Sequence, residues 1–176
     1  MEPRRDTPSF DPALDRLIRR LLAEQLTVAT AESCTGGWLA KVLTDRAGSS
    51  TWLLAGWVVY SNESKQRELS VPARLLRQHG AVSEEVAAAL AKAARRQSGA
   101  DLAVAISGIA GPSGAVPGKP VGTVCFGFAR KHGRSSVIET VTKRFRGDRD
   151  TVRRAAVRSA LIGLYSMASK GSLYSQ

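Results

Sequence analysis

The chain holds two cysteines and two histidines in 176 residues. Cys34 and Cys125 need not pair, and a reducing cytoplasm is the natural setting for so few thiols. His79 and His132 fall near expected turns, and neither stands at metal-ligand spacing from another His or Cys, which argues against zinc. A Ser-His-Asp triad would have to recruit one of these two, so that chemistry is disfavoured. No G-x-x-x-x-G-K-[ST] loop occurs, and no G-x-G-x-x-G follows a strand, so the two common nucleotide-loop signatures are missing. No segment reaches the ~18 apolar residues of a membrane helix. The first residues, Met1-Glu2-Pro3-Arg4-Arg5-Asp6, lead into no apolar run of the secretory type, so neither a membrane partner nor export is expected.

Charge is one-sided, with 26 basic against 15 acidic residues and a net +11. Such a balance attracts phosphorylated small molecules, nucleic acid and anionic lipid alike. The excess is spread along the chain, without a long Lys/Arg run or the aromatic-interleaved basic stripe that single-strand binders use, so nucleic acid is not the expected partner. General arginine richness explains the same numbers.

The length suits one domain able to bury a core without staples. Aromatics make up only 6%, whereas alanine is abundant, which suggests alanine-rich helices against β-branched strands. Residues 1–10 read as a disordered leader and 169–176 as a tail around a domain at 11–168. Asp11-Pro12 reads as a helix start, with Leu14, Leu17, Ile18, Leu21 and Leu22 at helical spacing. Strands are expected at Leu26–Ala31 and Leu53–Tyr60, with a helix from Gly36 to Thr44 between them. Short helices follow at Lys65–Leu69 and Ala73–His79. Ser83-Glu84-Glu85 opens a longer helix, with Lys92, Arg95 and Arg96 in its last turn and Gly99 at its end, matching the helix dipole. Asp101–Ser107 reads as a buried strand. Val121–Ala129 and Ser136–Arg144 form a hairpin through Arg130–Arg134, and Asp148 or Asp150 opens the last helix. This order predicts an α/β fold, a three-layer α/β/α sandwich around a mixed sheet of about five strands.

Three segments carry chemistry. Ser33 and Cys34 stand side by side on a glycine-flanked strand-to-helix turn, which projects side chains and aims backbone N–H groups at one spot. The same residues also read as a helix cap by Ser33 or Thr35. In Tyr60-Ser61-Asn62-Glu63-Ser64-Lys65, a strand end is followed one turn later by a lysine. Lysine serves as a base for serine when burial or nearby positive charge lowers its pKa. A surface lysine beside a half-buried tyrosine is the plainer reading. Finally, Gly108–Pro120 contains four glycines and three prolines and cannot be regular structure. Loops of this length in a compact domain usually serve function, and its glycines allow close approach to a ligand; a structural crossover is the alternative.

Taken together, these segments resemble the CinA C-terminal domain family. The resemblance rests on Ala31-Glu32-Ser33-Cys34-Thr35-Gly36-Gly37, Trp57-Val58-Val59-Tyr60-Ser61-Asn62 with Lys65, Gly80-Ala81-Val82-Ser83-Glu84, Gly108-Ile109-Ala110-Gly111-Pro112, Lys119-Pro120-Val121-Gly122-Thr123, and Phe145-Arg146-Gly147-Asp148-Arg149 with Arg153. It implies a cofactor-free, metal-free amidase of nicotinamide mononucleotide, releasing nicotinic acid mononucleotide and ammonia for pyridine nucleotide recycling. By position it implies Ser33 as nucleophile, Lys65 as general base and Tyr60 as its partner. Cys34, Thr35, Gly36, Gly108, Ala110, Gly111 and Arg149 are implied at the substrate, with Arg149 on the phosphate or, alternatively, in a salt bridge to Asp148 or Asp150. It further implies a stand-alone form of a domain that follows another in larger relatives, and a homo-oligomer. Ala55 and Ala115 stand where relatives often carry glycine. They leave open an alternative, a catalytically weak nucleotide-binding regulator linked to competence or DNA damage.

Overall fold

The computed structural model describes residues 10–169, so the expected leader, except Phe10, and all but the first residue of the expected tail lie outside the described residues. The elements are α1 (Asp11–Ala23), β1 (Val28–Glu32), α2 (Trp38–Leu43), β2 (Leu53–Val58), α3 (Asn62–Leu69), α4 (Ala73–His79), α5 (Glu84–Ser98), β3 (Leu102–Gly108), β4 (Thr123–His132), β5 (Ser135–Arg144) and α6 (Arg149–Ser169). The five strands form one mixed sheet in the order β2-β1-β3-β4-β5. β1 pairs in parallel with β2 and β3, and β4 runs antiparallel to both β3 and β5.

Strand side chains sort by size onto the two faces. Leu102, Val104 and Ile106 of β3, with Val124, Phe126 and Phe128 of β4, meet α1, α2 and α6. Ala103, Ala105 and Ala129 meet the helices α3, α4 and α5. The small face lets α5 lie close to the sheet, so that a Cβ on Gly127 would run into the Ala87 carbonyl. On the large face, the ring of Phe128 occupies the space beside Gly163 of α6. The three-layer arrangement follows from this alternation, since each face must be covered by its own helices.

Several expected boundaries shift for local reasons. Phe10, not Asp11, occupies the α1 cap position; its carbonyl accepts from Ala13 and Leu14, and its ring packs edge-on to Trp38 at 5.8 Å. Leu22 is 48% exposed, because the buried stripe of α1 is Leu14, Leu17, Ile18 and Leu21. β4 and β5 stay paired to His132 and Ser135, leaving a two-residue Gly133-Arg134 turn with Gly133 at φ 56° in place of the longer hairpin loop.

This topology gathers distant segments at one edge. The three parallel strands end there, β4 begins there, and β5 returns the chain there to start α6. Between β1 and β2 the connections also leave on opposite faces, to α2 and α3. In open α/β sheets, ligands bind outside the strand ends at such a switch.

Gly163→Ala tests the close packing. Helix propensity favours Ala over Gly by about 1 kcal/mol, but overpacking against Phe128 costs about 1–3 kcal/mol. A thermal midpoint below wild type is expected in a melting experiment; an increase would show that the ring is not a barrier.

Candidate active site

Ser33 sits on a turn held from several sides. Its N–H donates to Ile106 O at 2.9 Å, and the N–H of Gly36 donates back to Ser33 O at 3.0 Å. Gly36 and Gly37 adopt φ of 63° and 89°, the left-handed region that favours glycine. The turn is also fastened by Glu32. Its fully buried carboxylate accepts from the N–H groups of Leu39 (2.9 Å) and Ala40 (2.8 Å) and from the Thr35 hydroxyl (2.7 Å). The last residue of β1 thus satisfies the first N–H groups of α2, in the place where Ser33 or Thr35 was weighed as the cap. Neither side chain caps the helix, and the Ser33 hydroxyl is left for another partner.

That partner is Lys65. Ser61 caps α3 by accepting the Ser64 N–H at 3.0 Å, and Lys65 lies one turn further along. Its side chain is 1% exposed, not a surface lysine. Nζ lies 3.2 Å from Ser33 Oγ, 2.9 Å from Val59 O and 3.0 Å from Tyr60 O, with Ser61 O at 3.5 Å. A neutral amine has two N–H bonds and one lone pair. Were the amine neutral, the two short carbonyl contacts would take both N–H bonds and leave the lone pair facing the Ser33 hydroxyl. Burial pushes the Lys65 pKa below the ordinary lysine value, and the nearby Cys34 and Glu63 oppose that shift.

Tyr60 meets Lys65 through its backbone carbonyl. Its phenol is 60% exposed and accepts from Arg149 Nη2 at 3.2 Å. Arg149 Nη1 donates to Gly111 O at 2.9 Å, so one guanidinium joins the start of α6, the glycine-rich loop and the end of β2. The loop folds back on itself through Ile109 N to Thr123 O and Gly122 N to Ile109 O, both 2.8 Å. Lys119 Nζ ties it to His79 O at 2.8 Å. Gly108 lies against Val124 and the Thr123 carbonyl too closely for a side chain, and Ala110 is buried in the core beneath the loop.

The Cys34 thiol is 6% exposed, and burial pushes its pKa up to about 12, so it holds its proton at neutral pH and is a poor nucleophile. Its carbonyl accepts from Arg153 Nε at 3.1 Å, and that of Thr35 from Arg153 Nη2 at 2.9 Å. Thus Ser33, Lys65, Tyr60, Arg149 and Gly111 are linked by contacts at one end of the sheet. Glu32 and Arg153 support the turn, roles that sequence reasoning missed. His79 stands 3.3 Å from Glu85, away from this constellation, and the described residues contain no cluster suited to a metal. A cleft of about 550 Å³ opens further along the same edge, lined by Ser83, Glu84, Lys119, Thr123, Cys125 and Thr142. It lies over β4 and β5, so the Ser33–Lys65 contact identifies the site, not cavity size.

Glu32→Gln offers one carboxamide oxygen to donors that two carboxylate oxygens now share, and turns an NH₂ toward an N–H or hydroxyl. Losing a charged, buried acceptor should destabilise the fold by about 1.5–3 kcal/mol. Chemical denaturation measures this; an unchanged midpoint would mean that Glu32 does not hold the turn.

Known proteins share this arrangement of segments. The model of the CinA C-terminal domain matches residues 11–168. The nicotinamide-nucleotide amidohydrolase PncC of Escherichia coli K12 is 54% identical over 147 residues, covering 82% of this chain and 86% of that protein. A putative competence-damage inducible protein of Symbiobacterium thermophilum is 52% identical over 87% of this chain but only 37% of its own length. Among solved structures, a competence-damaged protein (CinA) superfamily protein of Klebsiella pneumoniae 700603 superposes with a TM-score of 0.86 at 38% identity, covering 93% of this chain and 99% of that one. On its motifs, its sheet and these matches, the chain belongs to the CinA C-terminal domain family.

Proposed function

We propose that this protein hydrolyses the carboxamide of nicotinamide mononucleotide to nicotinic acid mononucleotide and ammonia, in pyridine nucleotide recycling. The 54% identity to nicotinamide-nucleotide amidohydrolase supports the reaction, and the observation that carries the mechanism is the buried 3.2 Å contact between Lys65 Nζ and Ser33 Oγ. Lys65 takes the Ser33 proton as Oγ attacks the amide carbon. It returns that proton to the amide nitrogen as the C–N bond breaks and ammonia leaves. Water then attacks the resulting ester, again giving its proton to Lys65, and the proton passes to Ser33 as the acid departs. The N–H groups of Ser33 and Gly36 are committed to Ile106 and Ser33 carbonyls, so the oxyanion falls to those of Cys34 and Thr35. Tyr60 and Arg149 form the rim on which the nucleotide rests, beside Gly111, whose carbonyl Arg149 holds, while Gly108 and Ala110 support the loop from beneath.

Ala55 lies within β2 opposite Ala29, and Ala115 lies on an exposed stretch of the loop. Neither position touches the Ser33–Lys65 pair, so catalysis is favoured over the regulatory alternative. No helix of the described residues is long and apolar enough to cross a membrane, and we place the enzyme in the cytoplasm. Assembly into a homo-oligomer also belongs to this reading; the exposed Leu54 and Val58 on edge strand β2 support it.

Ammonia release from nicotinamide mononucleotide tests the reading, with Ser33→Ala beside wild type; equal release by both would remove Ser33 as nucleophile. Lys65→Met should lose ~10²–10⁴-fold in rate while remaining folded. Because the lowered Lys65 pKa governs the free base, wild-type kcat/KM should rise with pH and level off below the ordinary lysine value. A rate independent of pH through that range, or a near-normal Lys65→Met enzyme, contradicts the scheme.

Arg149 is proposed to read the phosphate with the guanidinium N–H bonds that Gly111 and Tyr60 leave over. Arg149→Ala should therefore impair use of the mononucleotide far more than use of the dephosphorylated riboside. Equal losses on both would assign Arg149 to the architecture of the rim.

A further inference from the structure

We infer that Arg153 is a positioning residue for catalysis, acting through the backbone of the Ser33 turn to set and polarise the Thr35 N–H, one of the two groups that receive the oxyanion. This inference rests on the serine mechanism proposed above. Arg153 lies on α6, far from Ser33 in sequence, yet its guanidinium forks onto the Cys34 and Thr35 carbonyls at 3.1 and 2.9 Å. The guanidinium carbon also stands 5.1 Å from the centre of the Trp38 ring, at the first residue of α2. The planar fork is thereby held over the turn rather than waving in solvent.

The consequence follows from the peptide unit. In a trans peptide, C=O and N–H point in opposite directions from one rigid plane. The Cys34 carbonyl shares its plane with the Thr35 N–H. Drawing that carbonyl toward α6 therefore turns the Thr35 N–H away from α6. The Thr35 carbonyl shares its plane with the Gly36 N–H, which donates to Ser33 O and closes the turn. One guanidinium thus fixes the Cys34–Thr35 and Thr35–Gly36 peptide planes, the second and third after the nucleophile. A cation on a carbonyl oxygen also draws electron density from the N–H of the same amide and strengthens it as a donor, the cooperative effect seen in hydrogen-bond chains. Glu32 holds the turn through α2 and the Thr35 side chain; Arg153 is the group bonded to the peptide planes themselves. Lysine cannot replace it, because a point charge on a flexible stem does not fork two carbonyls.

The test is steady-state kinetics on Arg153→Lys and Arg153→Ala, with nicotinamide mononucleotide as substrate and ammonia as readout. Loss of one oxyanion donor typically lowers turnover ~10²–10³-fold, so kcat should fall by about 10²-fold while KM changes by less than about threefold. Affinity for pyridine-3-boronic acid, which forms a tetrahedral anion on serine, should fall in step with kcat. Affinity of Ser33→Ala for nicotinamide mononucleotide, where no such anion forms, should be the same with and without the Arg153 substitution. A normal kcat overturns the inference, as does a raised KM with kcat unchanged, which would make Arg153 a substrate ligand. Arg153→Lys keeps the charge and the apolar stem, so it decides the matter should Arg153→Ala fail to fold: full kcat in Arg153→Lys overturns the inference. Ser33→Ala run in parallel separates the two levels. If it is active, the serine mechanism fails; if it is inactive while Arg153 variants keep full kcat, only the role of Arg153 fails.

Discussion

An amine buried against a serine hydroxyl imposes conditions on everything around it. Lys65 cannot be withdrawn from water without partners for its N–H groups, and the chain supplies them from its own backbone where β2 gives way to α3. Val59 and Tyr60 present their carbonyls because the strand has just ended there and the Ser61 cap turns the chain into the helix. The first turn of α3 then carries Lys65 back over those same carbonyls. Loss of the cap, or of the strand end, would move the amine away from Ser33.

The second half of the contact depends on the β1–α2 turn. Because the β1 connection passes to one face of the sheet and the β2 connection to the other, Ser33 and Lys65 approach each other across the strand ends. Burial at that junction favours the neutral amine, and neutrality is the condition for a lysine to accept a proton. Fold topology, local backbone geometry and the acid-base state of one side chain are therefore one argument. The turn itself is fastened twice: from below by the Glu32 carboxylate on α2, and from α6 by the Arg153 guanidinium. Neither side chain bonds Ser33 Oγ, which is left for Lys65.

Much of this was legible in the sequence, for identifiable reasons. The short helix expected at Ala73–His79 matches α4 at its observed bounds, and the charge pattern around Ser83 and Gly99 marked both ends of α5. Ser33 and Lys65 stood out as hydroxyl and amine beside turn signals at the ends of two strands, but the residues alone favoured a surface lysine, and only the family resemblance implied their pairing. Glu32 was not recognisable as a cap, since it stands six residues before α2, outside the spacing of a capping box. Arg153 was hidden because its partners are more than a hundred residues away and are carbonyls, which leave no side-chain pattern. Tyr60 looked like the lysine's side-chain partner, whereas its carbonyl meets Lys65 and its phenol meets Arg149; sequence spacing does not reveal which atom of a residue is used. Leu22 fitted the helical period of α1 yet faces outward, because the stripe buried against α6 is narrower than the apolar spacing suggests.

The state of the Lys65 amine decides whether this account is right. Lysine side chains labelled with ¹³C at Cε report their own titration by NMR, and Lys65→Met identifies the signal. The account predicts that Lys65 titrates below the other lysines and that its midpoint coincides with the rise of kcat/KM with pH. A Lys65 signal that titrates with the surface lysines, in an enzyme already fully active at neutral pH, would contradict it.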